Sequence, residues 1–319
     1  MINYIKYRIK HDDHNIRIDR WLRRKFNKLP QNFFEKKLRK GKIRLNGKII
    51  KSNIKVLYDD TVEIFDFDEK IYSRNENTSK LFIDESFNKK FKSSILYENE
   101  NYMIVNKWKG IATQGGTGIY ISIDNIIKRL SDEMYLVHRL DKDTSGTLII
   151  SKNYKTTRFF SDLFREKKIR KIYIAICEGS PKKNKGVVKL DIKKKLSKIN
   201  TNENITKKNQ FSETKYELLD KNHNMSLIIF IPLTGKMHQI RIVANYLGCS
   251  ILGDKKYGTL KKVKNRNYKN KLMLHALGII FKYNNKTCEY FADIDNETSK
   301  NINQMGFKMP NKNILKKYI

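Results

Sequence analysis

One short segment of the sequence combines residue types that could carry acid–base or nucleophilic chemistry. Residues 137–146 read Val-His-Arg-Leu-Asp-Lys-Asp-Thr-Ser-Gly and lead into an apolar run. This pattern predicts a loop that enters a strand, a common place for functional side chains. The loop brings an acid, Asp141, close to the basic side chains of His138 and Arg139. Gly146 would allow a close approach of the backbone where the strand begins.

Each of these residues also has a structural interpretation. Asp141 could cap a turn, His138 could be a hydrogen-bonded core histidine, and Arg139 could be an ion-pair partner. Residues of these types are more often structural than catalytic when nothing else supports a site. The segment alone therefore leaves the choice open.

The wider sequence resembles the RluA-type pseudouridine synthases. The pattern H-R-L-D-x-x-T-S-G at residues 138–146 is similar to the signature of that family, and it is long enough that a chance match is remote. Further segments that resemble family motifs follow in order at residues 171–175, 214–216, 233–241, 252–258 and 274–276. Lys236, Met237 and Trp108 depart from the family pattern, which has an arginine, a small hydroxyl residue and a proline there. Because lysine lacks the planar fork of arginine, whatever residue 236 braces is expected to be held less firmly.

The resemblance implies a reaction and three catalytic residues. A pseudouridine synthase breaks the bond between ribose C1′ and uracil N1, turns the base and rejoins it through C5, which requires no cofactor and no metal. By resemblance, Asp141 is the nucleophile and forms an adduct with the sugar or with the base. Arg241 is its ion-pair partner, which we expect within hydrogen-bonding distance and which would favour the charged carboxylate. Tyr173 stacks on the base and assists proton removal from C5.

The resemblance also implies contacts with RNA around the site. A uridine in stacked RNA must be flipped out at a cost of a few kcal/mol. In the family, the arginine of H-R-L-D fills the gap, and this role transfers to Arg139, whose planar guanidinium can stack in place of a base. The other residues that we predict to contact RNA near the site are His138, Lys107, Lys171, Lys236 and His238.

The charge of the chain favours a polyanionic partner. There are 67 Lys and Arg residues against 33 Asp and Glu, a formal net charge of +34, which exceeds what solubility requires. An AT-rich coding sequence would inflate lysine, but it would not favour arginine. No apolar run reaches the about 18 residues that span a bilayer, and three scattered cysteines suit neither disulfides nor zinc. We predict RNA as the partner, no membrane, and the cytoplasm or an organelle with bacterial-type ribosomes.

The N-terminal part reads as a small unit with its own pattern. Helical spacing at residues 18–26 and 32–40 is interrupted by Pro30, and the pair Asn46-Gly47 marks a hairpin. Residues 17–22, 38–47 and 59–62 resemble the S4 RNA-binding domain, in which the second helix and the following loop face RNA. The resemblance therefore predicts RNA contacts from Arg24, Lys36, Lys37, Arg39 and Lys40. A solvated position is the simpler interpretation of any one lysine, whereas the cluster favours contact.

The predicted fold class is α+β. It comprises an S4-like domain at residues 1–66, a polar linker at 67–93 and a catalytic domain at 94–319, built on a mixed, mainly antiparallel sheet with helices. In the catalytic domain we predict strands at residues 95–97, 103–106, 147–151, 172–177, 214–219, 226–231 and 277–283. We predict helices at residues 154–167 and 238–247.

Several functions remain open from the sequence. Residues 114–118, Gln-Gly-Gly-Thr-Gly, resemble the H-G-G-x-G of the RluC-type branch, which favours a monomeric enzyme acting on large-subunit ribosomal RNA. A synthase acting on transfer RNA is an alternative. So is a catalytically silent RNA-binding or ribosome-assembly protein, although that protein would not need Asp141, Tyr173 and Arg241. A regulator that binds RNA or DNA through an S4-type module would not need the residues after the linker.

Overall fold

The chain divides into two compact units, Met1–Phe82 and Ile83–Ile319. The structure, a computed structural model, describes residues 4–26, 29, 31–72, 85–116, 119–192, 211–258, 271–310, 315, 317 and 318. Pro30, residues 73–84 of the predicted linker, and residues 117 and 118 of the glycine-rich stretch lie outside these ranges. No helix within them is long and apolar enough to cross a membrane.

The first unit combines short strands with two main helices. Its strands are β1 (Tyr4–Arg8), β2 (Ile16–Arg17), β3 (Ile43–Leu45), β4 (Lys48–Ile49), β5 (Lys55–Val56) and β6 (Thr61–Phe65). Its helices are α1 (Ile18–Lys25), α2 (Gln31–Arg39) and the short α3 (Glu69–Tyr72). One sheet has the order β1-β6-β3-β4, and β2 pairs with β5. The two helices and the hairpin predicted from the sequence are confirmed within one or two residues.

The core of the first unit explains why this short sequence folds. Trp21 and Leu22 of α1 and Phe34 and Leu38 of α2 are buried together with apolar residues of the sheet. They recur at helical spacing, so one face of each helix is buried and the other remains charged. The hairpin between β3 and β4 turns at Asn46 and Gly47, which both have positive φ, as a two-residue type I′ turn requires.

The described ends of the segment predicted as a linker are helical. At one end, α3 buries Tyr72 in the core of the first unit. At the other, α4 (Glu85–Ser93) buries Phe91 in a core cluster of the second unit. Each helix is short and mostly polar, with one aromatic residue in α3 and two in α4, Phe87 and Phe91, packed on a core, so neither has the sustained period that would reveal it in the sequence.

The second unit contains the following further elements. Its strands are β7 (Ile95–Glu98), β8 (Tyr102–Lys107), β9 (Tyr135–Leu136), β10 (Ser145–Ser151), β11 (Arg170–Glu178), β12 (Lys185–Asp191), β13 (Phe211–Asn222), β14 (Met225–Pro232), β15 (Ser250–Ile251), β16 (Leu274–Tyr283) and β17 (Lys286–Phe291). Its helices after α4 are α5 (Ile123–Leu130), α6 (Tyr154–Arg165), α7 (Gln239–Tyr246) and α8 (Asn296–Gln304).

These strands form one 11-stranded sheet with the order β12-β13-β14-β11-β16-β10-β8-β7, on which β15, β17 and β9 pair with β11, β16 and β10. Within the described ranges, β10 and β16 form the parallel pair between named strands, and the other strand pairs are antiparallel. Gly146 of β10 has φ 113°, and a Cβ at this position would overlap the backbone of Ala276 in β16. A glycine is therefore required where the predicted Asp141 loop joins the sheet.

The α+β class with a mixed, mainly antiparallel sheet is confirmed. The seven strands and two helices predicted for this unit are present, and their ends differ from the prediction by up to three residues. The sequence did not predict β9, β12, β15, β17, α5 or α8. The edge strand β12 and the hairpin strand β17 carry lysines on exposed faces, which hides the alternation of apolar residues.

Candidate active site

The loop before β10 holds Asp141 through contacts on both sides of it. The hydroxyl of Thr113 donates to the Leu140 carbonyl at 2.6 Å and accepts from the Leu140 N–H at 3.1 Å. The N–H of Gly110 donates to the Lys142 carbonyl at 2.9 Å. The N–H of Thr144 donates to the Asp141 carbonyl at 3.1 Å. These bonds fix the backbone, so the Asp141 carboxylate projects from a rigid position.

The structure corrects the prediction that Lys107 contacts RNA. Its side chain is fully buried, and Nζ donates to the carbonyls of Trp108, Ile111 and Lys142 at 3.0–3.2 Å. Burial lowers the pKa of Lys107 to about 7, against the charges of Asp143 and Asp141, which raise it. The ammonium cannot reach a bound RNA from this position. Instead it ties the Asp141 loop to the end of β8.

His138 also has a structural partner. Its Nε2 accepts a hydrogen bond from the N–H of Ile149 at 2.8 Å, and its ring packs 4.8 Å from the ring of Phe164. Burial, followed by the charge of Lys171, lowers the pKa of His138 to about 3. The imidazole is therefore neutral at physiological pH. It borders the cavity described next, but its acceptor nitrogen is occupied by the backbone of β10.

A cavity of about 620 Å³ opens beside Asp141. Its size falls in the range of small-molecule sites. The predicted residues that line it are Asp141, Tyr173, Arg241, His138, Arg139, Lys171, Lys236 and His238. The structure thus brings together side chains from the Asp141 loop, from β11 and from the segment that begins α7.

Arg241 is anchored by a carboxylate that the sequence analysis did not single out. Its Nε and Nη2 donate to the two oxygens of Asp254 at 2.8 and 2.6 Å. Nη1 lies 3.8 Å from Oδ2 of Asp141. The prediction that Arg241 and Asp141 lie within hydrogen-bonding distance is wrong, because 3.8 Å is an ion-pair distance and too long for a hydrogen bond. Asp254 sets the guanidinium in place, and Asp141 faces the remaining nitrogen.

The electrostatics of this pair follow from burial and charge. Burial acts to lower the pKa of Arg241, but the hydrogen bond and charge of Asp254, with the charge of Asp141, outweigh it and raise the pKa. Burial acts to raise the pKa of Asp254, but its bonds to Arg241 and to the N–H groups of Tyr257 and Lys256 lower it. Both groups therefore stay charged, and a fixed cation stands beside the Asp141 carboxylate.

His238 faces the same oxygen of Asp141 as Arg241 does. It precedes α7 with φ 55°, a left-handed conformation that histidine adopts more readily than most residues. Its Nε2 lies 3.8 Å from Oδ2 of Asp141, and its Nδ1 shares a hydrogen bond of 2.9 Å with the Tyr257 hydroxyl. Burial is the largest cause that lowers the pKa of His238, although the Asp141 charge acts to raise it.

The turn before His238 is held by Gln239. The amide oxygen of Gln239 accepts from the Thr234 hydroxyl and from the Lys236 N–H, at 2.8 and 2.9 Å. Its Nε2 donates to Glu213 and Thr214 of β13. The side chain of Lys236 is half-buried on the cavity wall, and the neighbouring Met237 is 65% exposed. The departures at these two positions thus lie at the rim, and the backbone bonds that form the turn do not depend on them.

Tyr173 and Lys171 enter the cavity from β11. A register shift between β11 and β16 falls at Ile172 and Ile174, which flank Tyr173. Such irregularities re-aim side chains near functional sites. Burial, followed by the charge of Asp141, raises the pKa of Tyr173, so its phenol stays protonated. Burial lowers the pKa of Lys171 to about 8, and its Nζ lies 3.4 Å from the Thr234 carbonyl.

The predicted RNA contacts of the first unit lie on α1 and α2. Lys36, Arg39 and Lys40 are exposed. Arg24 is also exposed, but it pairs with Asp13 at 2.9 Å. Lys37 is half-buried, with Nζ 5.7 Å above the ring of Phe33. Three of the five side chains therefore present their charge to solvent and form no ion pair within the described residues.

Sequence reasoning missed three residues that organise the site, namely Asp254, Tyr257 and Gln239. All three lie in segments that resemble family motifs, at residues 233–241 and 252–258. Motif order did not reveal their roles, because it does not show which carboxylate reaches which guanidinium. Within the described residues no group of three or more His, Cys, Asp or Glu side chains could hold a metal ion.

The site thus places one carboxylate beside a fixed arginine at the wall of the cavity. The sequence model of the RNA pseudouridylate synthase family matches residues 101–246. A ribosomal large subunit pseudouridine synthase C from Rickettsia bellii is 39% identical over 272 residues, which cover 83% of this chain and 89% of that protein. The protein of the same name from Buchnera aphidicola (Acyrthosiphon pisum) is 34% identical over 284 residues, covering 84% and 86%.

Among solved structures, human RNA pseudouridylate synthase domain containing 4 superposes with a TM-score of 0.59 at 23% identity, over 71% of this chain and 98% of that chain. At this identity the likeness concerns the fold. The two relatives above, at 34% and 39% identity over most of both chains, show that the chain belongs to the RNA pseudouridylate synthase family. It is an RNA pseudouridine synthase, as the sequence motifs predicted.

Proposed function

We propose that this enzyme converts uridines of large-subunit ribosomal RNA to pseudouridine, with Asp141 as the nucleophile. The observation that carries the mechanism is the position of the Asp141 carboxylate, which borders a cavity of about 620 Å³ and lies 3.8 Å from both Arg241 and His238. The ribosomal substrate is supported by the relatives, which are named for the large ribosomal subunit.

The carboxylate is suited to form and break a covalent bond. Arg241 supplies a fixed positive charge beside the nucleophile, which favours the carboxylate as a leaving group. Because Asp254 binds two nitrogens of the guanidinium, this charge does not have to be reoriented during the reaction. Tyr173 lines the cavity as a flat surface on which a flipped uracil stacks.

Substrate entry requires that the uridine leave the RNA stack. Arg139 is exposed at the edge of the same cavity, two residues from Asp141. In our proposal its guanidinium takes the place of the flipped base in the stack, which offsets part of the few kcal/mol that flipping costs. Lys171 and Lys236 line the cavity and contribute positive charge for the flanking phosphates.

We further propose that the first unit is an S4-like RNA-binding module. Its support is the order of two helices followed by a hairpin, and the exposed charges of Lys36, Arg39 and Lys40 on and after α2. All the reactive groups named above come from one chain, so the proposal requires only a monomer, acting where bacterial-type ribosomes are made.

Mapping of pseudouridines tests the substrate. Total RNA from cells with and without the gene is compared at single-nucleotide resolution, and the gene is then restored as wild type or as Asp141→Asn. We expect pseudouridines in large-subunit ribosomal RNA that disappear with the gene and return with the wild type alone. Sites that change in transfer RNA instead would contradict the ribosomal assignment. Sites restored by the Asp141→Asn protein would contradict the nucleophile.

A further inference from the structure

His238 occupies a position that the roles above do not explain. Its Nε2 lies 3.8 Å from the Asp141 carboxylate, and its side chain is 19% exposed at the cavity wall. Its other nitrogen is bonded to Tyr257 at 2.9 Å. An imidazole held at one nitrogen and directed by the other towards the reacting carboxylate has the geometry of a proton-transfer group.

The isomerisation needs such a group because one proton must change place. The C1′–N1 bond breaks and its electron pair stays on the uracil. C5 then bonds to C1′, which leaves C5 with a hydrogen that must be removed before the ring regains its double bond. The product carries a new hydrogen on N1. One residue that takes the C5 proton and gives it to N1 balances the reaction without another reactant.

The reacting atoms lie beside His238 for either kind of Asp141 adduct. If the carboxylate bonds to C1′, C5 attacks that same carbon. If it bonds to C6 of the uracil, C5 is the neighbouring ring atom. In both cases C5 comes within a few bond lengths of the Asp141 oxygen that faces His238 Nε2.

The other titratable side chains of the cavity wall suit this step less well. The family resemblance gave Tyr173 a part in removing the C5 proton, but burial raises its pKa, so its phenol holds its own proton at neutral pH and it keeps only the stacking role. His138 uses Nε2 to accept the N–H of Ile149. Lys171, with a pKa of about 8, is mostly protonated at neutral pH. The imidazole of His238 is neutral there, because its pKa is lowered by burial.

We propose that His238 takes the proton from C5 of the target uracil and returns it to N1, with Tyr257 holding the imidazole in position. This inference rests on the proposed role of Asp141. As the proton arrives at Nε2, Nδ1 donates to the Tyr257 oxygen. The charges that face the imidazole are Asp141, Arg241, Lys256 and Asp254; the two carboxylates stabilise the transient cation and the two cations oppose it.

The experiment compares His238→Asn with the wild type on a transcript of large-subunit ribosomal RNA, made with ordinary uridine or with uridine deuterated at C5. Asparagine tolerates the left-handed backbone of this position. Under single turnover we expect pseudouridine formation to fall about 100-fold or more. We also expect a larger deuterium isotope effect than in the wild type, since removal of the C5 proton becomes the slow step.

A transcript made with 5-fluorouridine separates proton transfer from the earlier steps, because it has no C5 proton to lose. The His238→Asn protein should react with it as fast as the wild type, as followed by mass spectrometry of the nucleotides. Asp141→Asn should not react with it; reaction there would refute the nucleophile and leave the role of His238 to the deuterium result. The matched control is His223→Asn, an exposed histidine with φ 49° that should behave as the wild type.

Two results would overturn the assignment of His238. One is a His238→Asn protein that forms pseudouridine at the wild-type rate with the wild-type isotope effect. The other is a variant whose reaction with the 5-fluorouridine transcript is slowed as much as its reaction with uridine, which would place His238 in RNA binding or in the orientation of Asp141. Tyr257→Phe, with the exposed Tyr246→Phe as its control, should show a smaller loss of the same kind.

Discussion

Arg241 gives two hydrogen bonds to Asp254 and turns its remaining terminal nitrogen towards Asp141 at 3.8 Å. Asp254 is thus the residue that orients the cation, although the motif order suggested Asp141 as its partner. The arrangement leaves the Asp141 carboxylate near a positive charge but free to move towards a substrate atom. A bidentate bond to Arg241 would occupy the oxygens that form the adduct in the proposed mechanism.

Asp254→Asn should destabilise the protein and slow catalysis. The change removes one partner of a buried ion pair, for which a loss of about 3 kcal/mol in the free energy of unfolding is expected. Denaturant titration measures it, with the exposed Asp220→Asn as a control that should lose little. An Asp254→Asn protein as stable and as active as the wild type would show that Arg241 needs no anchor.

The same pair predicts a pH dependence. Because the pKa of Asp254 is lowered in the folded protein, its contribution to stability is present above the pKa of the unfolded chain, about 3.9. That contribution is lost as the pH falls from there through the lowered folded value. The difference in unfolding free energy between wild type and Asp254→Asn should therefore shrink below about pH 4. A difference that stays constant into strong acid would contradict the pairing.

Asp141→Asn should abolish pseudouridine formation and leave RNA affinity nearly unchanged. The amide keeps the volume of the carboxylate and loses its nucleophilicity. Product is measured by nucleoside analysis and affinity by filter binding, on the same preparation. The neighbouring Asp143→Asn, whose side chain is exposed, serves as the control and should retain activity. A rate near wild type for Asp141→Asn would end the mechanistic assignment.

Lys107→Met should be costly although Lys107 does not contact RNA in our interpretation. The change leaves the carbonyls of Trp108 and Ile111 without this donor, whereas the Lys142 carbonyl keeps the Gly110 N–H, and each unsatisfied buried group costs about 1–3 kcal/mol. We expect a loss of stability of about 3 kcal/mol and a lower kcat, because the loop that carries Asp141 loses its bond to the end of β8. The exposed Lys155→Met is the control. If Lys107→Met lost only RNA affinity, the sequence prediction would have been right after all.

Lys171 should make RNA binding depend on pH. Its ammonium can neutralise a phosphate below its pKa of about 8, and it loses that charge above it. RNA affinity at fixed salt should fall as the pH rises through this value, by about tenfold per pH unit at most for one proton. Lys171→Arg should remove this fall because guanidinium stays charged. The same decline with arginine at position 171 would assign the pH dependence to another group.

The exposed charges at α2 should contribute affinity that salt weakens. Affinity falls as salt rises. If each of Lys36, Arg39 and Lys40 contacts a phosphate, replacing them with glutamine should make the negative slope of log affinity against log salt shallower by about 2–3. A control that removes the same charge elsewhere changes the exposed Lys282, Lys286 and Lys300 to glutamine. Equal effects of the two triple variants would mean that net charge, rather than this helix, accounts for the binding.

Sequence reasoning grouped Asp141, Tyr173 and Arg241 by motif order, and all three line the cavity, while their catalytic roles stay predictions. It failed where a role depends on distance. Lys107 reads as a surface cation because lysine is seldom buried, and only the three carbonyls around it make burial possible. His138 reads as a contact residue, whereas a backbone N–H occupies its nitrogen. The strand periods predicted the sheet but not its order, which depends on pairing between distant segments.

The position of β16 in the sheet has a consequence for a chain that is cut short. This strand lies between β10 and β11, so it joins the half of the sheet that carries Asp141 to the half that carries Tyr173 and leads to His238. It follows all of these residues along the chain, since it begins at Leu274. A nascent or truncated chain that ends before it holds every reactive side chain and lacks the strand that aligns them. Truncation before Leu274 should therefore abolish activity, although the proposed catalytic residues all remain.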